Sequence, residues 1–125
     1  MGRFGRSEDL RSLDAALREV DLHPALVPEG VKLALVNLMK DRQPDDGEPP
    51  PHAYPFVATL FSYCVLGPGP FAAANAEERL AEAERRLETA LEEDGFDADL
   101  VLLALHAKLV SPALVERYDL RADEE

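Results

Sequence analysis

The chain has a single cysteine, Cys64, among its 125 residues. One thiol cannot close an internal disulfide, so nothing points to secretion and a reducing cytoplasm is the expected compartment. Long apolar runs are missing too. None approaches the roughly 20 residues a membrane-spanning helix requires, and the opening MGRFGRSEDL lacks the apolar core of a signal peptide. Neither a leader nor a membrane contact is therefore expected. There is no phosphate-cradling glycine loop, dinucleotide fingerprint or nucleophile elbow. The stretch GPGPF at 67–71 has prolines where such a loop needs N–H donors, and no cofactor is expected.

Metal-site patterns are equally scarce. His23, His52 and His106 stand far apart in sequence, without the i, i+4 or short-loop spacing of a zinc site. The acidic run EEDGFDAD at 92–99 surrounds a glycine as a calcium loop does. With Gly95 in the sixth position, however, Ala90 and Val101 would be the first and twelfth residues, and neither is a ligand. No metal is expected.

Basic side chains are few: 13 against 25 acidic ones, for a net charge of −12. The imbalance is local. Residues 1–42 hold seven acidic and seven basic side chains, whereas residues 77–99 hold ten and three. Such a surface repels phosphate backbones and argues against nucleic acid as a partner. It gives solubility and favours basic partners.

Apolar periodicity then predicts helices. Leu10, Leu13, Leu17 and Val20 follow a plausible N-cap, Ser7, at spacings of three and four. Pro28 and Glu29 open a second helix, in which Leu33 and Val36 add apolar groups outside the main stripe. The proline-rich segment QPDDGEPPPHAY, at about 43–54, reads as a surface loop. Pro55 begins a third helix with Phe56, Leu60 and Cys64 on one line and the small residues Ala58 and Ser62 opposite, ending at Gly67-Pro68. Asn75 and Glu78 resemble a capping box for a fourth helix, whose seam runs Ala76, Leu80, Ala83, Leu87, Ala90 and whose outer face pairs Glu82 with Arg86. Asp97 is the expected cap of a fifth helix, ADLVLLALHAKLV, and Ser111-Pro112 of a short sixth. The expected fold is thus all-α: a compact bundle of five to six helices in a single domain, 1–125, with 1–6 and 121–125 flexible.

Two functional readings compete. The second, third and fifth predicted helices are apolar on nearly every side, and a bundle this small has room to enclose only one or two such helices. Surplus apolar surface usually marks a contact. The first reading is therefore a non-catalytic interaction module that binds itself or another protein subunit, with Leu33, Val36, Leu102 and Leu105 supplying apolar contact. Glu92, Glu93 and Asp94 join them, because they crowd a helix C-terminus where negative charge is mildly unfavourable. The alternative is a ligand-binding protein or enzyme in which Tyr63, Cys64 and His106 line an apolar pocket between the third and fifth helices. For Cys64 the plain reading is a small buried hydrophobe, since it sits near a helix C-terminus that disfavours a thiolate. For His106 it is a core-edge imidazole bonded to a carbonyl. A third reading, an acidic mimic of nucleic acid, rests on net charge alone. No catalytic residue is assigned.

Overall fold

The computed structural model describes residues 8–43 and 49–120. They form seven α-helices and no strand: α1 (Glu8–Glu19), α2 (Glu29–Asp41), α3 (Ala53–Leu66), α4 (Pro68–Ala74), α5 (Glu77–Glu92), α6 (Phe96–His106) and α7 (Pro112–Tyr118), with a 3-10 turn at Pro24–Leu26. The all-α expectation holds, with one helix more than predicted. The expectations for residues 1–6, for Ser7 as a cap and for residues 121–125 lie outside the described residues, as do 44–48 of the proline-rich connection.

The central element is α3, which packs against α1, α4, α5 and α6. Its residues 57–64 are all buried, as expected of a helix with almost no polar side chains. Two of the polar groups it carries are satisfied by carbonyls: Thr59 Oγ1 donates to its own Pro55 carbonyl at 2.9 Å, and Ser62 Oγ donates to the Val20 carbonyl just beyond α1 at 3.2 Å. Ala58 and Ser62 are completely covered, so the small face predicted to admit a neighbour does so. From the other side, Leu10, Leu13, Leu17 and Val20 are all buried.

Charged groups also hold this side together. Lys32 lies inside, its Nζ 3.1 Å from Asp14 Oδ1, which ties α2 to α1. Asp9 receives Tyr54 Oη at 2.9 Å and Lys40 Nζ at 2.9 Å, joining the start of α1 to the end of α2 and the start of α3. The Lys40 ammonium holds the Asp9 carboxyl below the usual carboxylate range, against the opposing pull of burial and with further help from Tyr54.

The extra helix explains the junction FSYCVLGPGPF. Gly67 ends α3 with a positive φ of 87°, its N–H donating to the Tyr63 carbonyl at 2.9 Å. A side chain there would bring Cβ within 2.6 Å of Ser111 Oγ, so both backbone and space require glycine. Pro68 ends α3 but also opens α4, where its missing N–H is no loss. The Cys64 carbonyl is met by the Ser111 N–H at 2.8 Å, which fastens the entry of α7 to the end of α3. Ser111 caps α7 as expected, accepting from the Ala113 N–H.

Two other caps differ from expectation. Asn75 does not cap α5; that helix begins at Glu77 after Ala76, with no side-chain cap. Asn75 instead follows α4, its Nδ2 donating to the Phe71 carbonyl at 3.1 Å, while Arg79 donates to its Oδ1. Gly95, not Asp97, precedes α6. Asp97 is engaged by Arg86 of α5 instead.

Candidate functional site

Arg86 was expected on the outer face of α5, beside Glu82. It is buried. Its Nε and Nη2 donate to the two oxygens of Asp97 at 3.0 and 2.8 Å, its Nη1 donates to the Phe56 carbonyl at 2.8 Å, and its guanidinium lies 3.6 Å from the centre of the Phe56 ring. A planar fork matches a carboxylate in this bidentate way. One side chain thus clamps α5, α3 and α6, and Asp97 serves it instead of capping. Asp99 is likewise paired, with Arg42 Nη2 at 2.7 Å, and the Arg42 guanidinium sits 5.7 Å from the Phe96 ring centre.

This clamp stands at one end of a furrow that follows α6. Next to it, a cleft of about 280 Å³ is lined by Met39, Val57, Phe56 and Phe96 among others. The two phenylalanines also line a second cleft, which continues past Glu93 and Asp94. That one shares Ala90, Asp94 and Ala98 with a third, of about 390 Å³, whose walls include Leu91, Leu102 and Leu105. Through Leu105 and Leu120 the third adjoins the largest, about 620 Å³, between the end of α6 and α7. The last helix closes the furrow only loosely, since Leu114 is the one buried residue of α7.

Five large apolar side chains are exposed among the described residues, and three of them, Phe56 (45%), Leu91 (42%) and Leu102 (46%), line this furrow. Leu26 and Leu33 are the other two. Leu33 lies on α2, away from the furrow's walls. Val36 and Leu105, both assigned to a contact from sequence, are buried at 4% and 8%; Leu105 reaches the furrow floor and Val36 belongs to the core. Glu92, Glu93 and Asp94 are exposed, and none of the three has an ion-pair partner among the described residues.

The three residues of the alternative reading do not come together. Tyr63 and Cys64 are sealed in the core, while His106 is exposed on the last turn of α6. None of them lines a wall of the furrow. Burial pushes the Cys64 thiol up to about 12, with nearby Arg86 opposing, so no thiolate forms near neutral pH. Burial likewise raises Tyr63 to about 12. Its ring meets Phe71 edge-on at 5.4 Å, and its hydroxyl is the one buried side-chain polar atom without a hydrogen-bond partner among the described residues. No group of three or more His, Cys, Asp or Glu side chains converges as a metal site among those residues, and no helix of theirs is long and apolar enough to cross a membrane.

The sequence reading missed Phe56, Phe96, Leu91 and Arg86. A signal existed for Arg86, a guanidinium three residues from Ala83 and one from Leu87 on the inward seam of its helix. None existed for Phe56, whose line with Leu60 and Cys64 leads into the core. Comparison of the chain with known protein families, with curated proteins and with solved structures returns no significant match.

Proposed function

We propose that the chain is a non-catalytic helical interaction module, either self-associating or an accessory subunit, and that its contact surface is the furrow along α6. One observation supports this reading: Phe56, Leu91 and Leu102, three of the large exposed apolar side chains, line neighbouring clefts that share Ala90, Asp94 and Ala98. Scattered surface leucines need no explanation, but apolar groups gathered along a groove usually have a partner. The lone buried Cys64 suits the reducing cytoplasm we propose as its compartment.

The test is light scattering on the purified chain, together with co-purification at native expression level, for the wild type and for Leu102→Glu. The wild type is expected to be an oligomer or to carry a stoichiometric companion, and the substitution to remove it without unfolding the protein. A lone monomer in both settings would overturn the proposal.

A further inference from the structure

We infer that the furrow receives a basic amphipathic helix of another protein, its apolar stripe against Leu91 and Leu102 and its lysine or arginine side chains over Glu92, Glu93 and Asp94. This rests on the interaction reading above and narrows it from any companion to one class.

Shape supplies the first argument. The furrow runs the length of α6, whose 11 residues span about 16 Å at 1.5 Å each, room for about three turns of a second helix laid alongside. A helix presents anchors at i, i+3, i+4 and i+7 to such a groove, and the wet apolar groups follow one another along it.

Charge supplies the second. At the end of α5, Glu93 and Asp94 line the furrow near Leu91 and Glu92 precedes them, all three exposed and with no ion-pair partner from the described residues. They also sit at a helix C-terminus, where the macrodipole already presents negative potential. Carboxylates and dipole thus point the same way, toward a cation. Of the guanidinium groups nearby, Arg42 is paired with Asp99 and Arg86 with Asp97, while Arg117 lies over the Tyr118 ring. Lys108 is the basic side chain at the far end, beside Glu116.

The same charges disfavour a second copy of the chain. A two-fold interface through the furrow would set like walls near one another in two molecules of net charge −12. A head-to-tail arrangement would need a basic helix to offer. None of the seven helices carries a net positive charge: α2, α3, α4 and α7 are neutral, and α1, α5 and α6 are negative.

The experiment is a fluorescence-anisotropy titration of the full chain with a labelled leucine–lysine peptide patterned as an amphipathic helix. Controls are a scrambled peptide of the same composition and a leucine–glutamate peptide of the same pattern. The patterned basic peptide is expected to bind, about tenfold more weakly to the double variant Glu93→Lys/Asp94→Lys, about tenfold more weakly to Leu102→Ser, and more weakly as salt rises. The acidic peptide is expected not to bind. Equal binding of the scrambled peptide, or an affinity unmoved by both variants, would reduce the effect to bulk charge and overturn the inference. Light scattering separates the two levels of failure. A dimer that Leu102→Ser dissociates leaves the interaction module standing with a second copy as the occupant. A monomer that binds no peptide removes the basic helix, and if it also lacks a companion at native expression level, the module falls with it.

Discussion

On the side built by α1, α2 and α3, each buried charge has an answer. Lys32 meets Asp14, and Asp9 meets both Lys40 and Tyr54. The apolar stripe of α1 is covered throughout. On the side of α5, α6 and α7 the balance is different. The single buried charge, Arg86, is held by a carboxylate, a carbonyl and an aromatic face, but a few residues on, Glu92, Glu93 and Asp94 stand in water beside wet Leu91 and Leu102. Desolvation explains the contrast. A charge taken out of water must be paired or it destabilises the fold, whereas exposed carboxylates and leucines are free of that demand. Buried charges on the first side are therefore answered by partners inside the molecule, whereas the carboxylates at the end of α5 keep their water.

Removing the clamp would break this comparison most severely. Arg86→Ala leaves Asp97 without its bidentate donor, removes the side-chain donor to the Phe56 carbonyl, and opens the contact among α3, α5 and α6. Loss of one member of a buried pair generally costs about 3–5 kcal/mol, and a value near the lower end, about 3 kcal/mol, is expected because Asp97 retains some access to water. Urea unfolding followed by circular dichroism measures it. Arg86→Lys is expected to recover little, because an ammonium cannot reproduce two parallel bonds to Asp97 and a third to the carbonyl.

A smaller effect is expected at Asp9, and it should depend on pH. Its folded pKa lies below the unfolded value, so the carboxylate contributes stability that is fully present above the unfolded pKa of about 4 and fades as pH falls through the lower folded value. Asp9→Asn is expected to cost about 2 kcal/mol near neutrality, the order found for hydrogen bonds to a charged group. The gap between wild type and variant should close as the medium is acidified below about pH 4. Equal gaps at pH 7 and pH 3 in denaturant titrations would contradict the assignment.

These effects also bear on what the sequence can reveal. Repetition over nearly three turns made the buried face of α1 legible, since Leu10, Leu13, Leu17 and, just past its end, Val20 admit only one inward side. Pro and Gly punctuation located the end of α3 at Gly67 and the cap at Ser111. Where a residue had two plausible employers, local rules chose the nearer one. Asp97 and Asn75 are good helix caps, yet one serves Arg86 eleven positions away and the other serves the end of α4. The pairing of Arg86 with Asp97 crosses a turn whose direction no local rule supplies. The surplus of apolar surface was legible as a quantity, but its position was not. Leu102 and Leu33 are exposed as the surplus requires, while Val36 and Leu105 are buried, and Phe56 and Leu91 emerge instead, because which side of an all-apolar helix faces water depends on its neighbours.

The smallest expected effect sharpens the comparison furthest. Leu100 and Leu102 lie two residues apart on α6, one fully buried and the other 46% exposed. Their helical positions differ by about 200°, so they face opposite sides of α6. Leu102→Ser removes apolar surface that already touches water, and surface changes of this kind stay within about 0.5 kcal/mol. Its melting temperature should match the wild type, while the companion or oligomer of the wild type is lost. A selected binding surface can lose a contact residue without loss of fold, because the partner, not the core, is what that residue meets. A marked drop in melting temperature instead would show that Leu102 is needed for the fold itself, and the two sides of the molecule would no longer differ in the way their exposed and buried groups indicate.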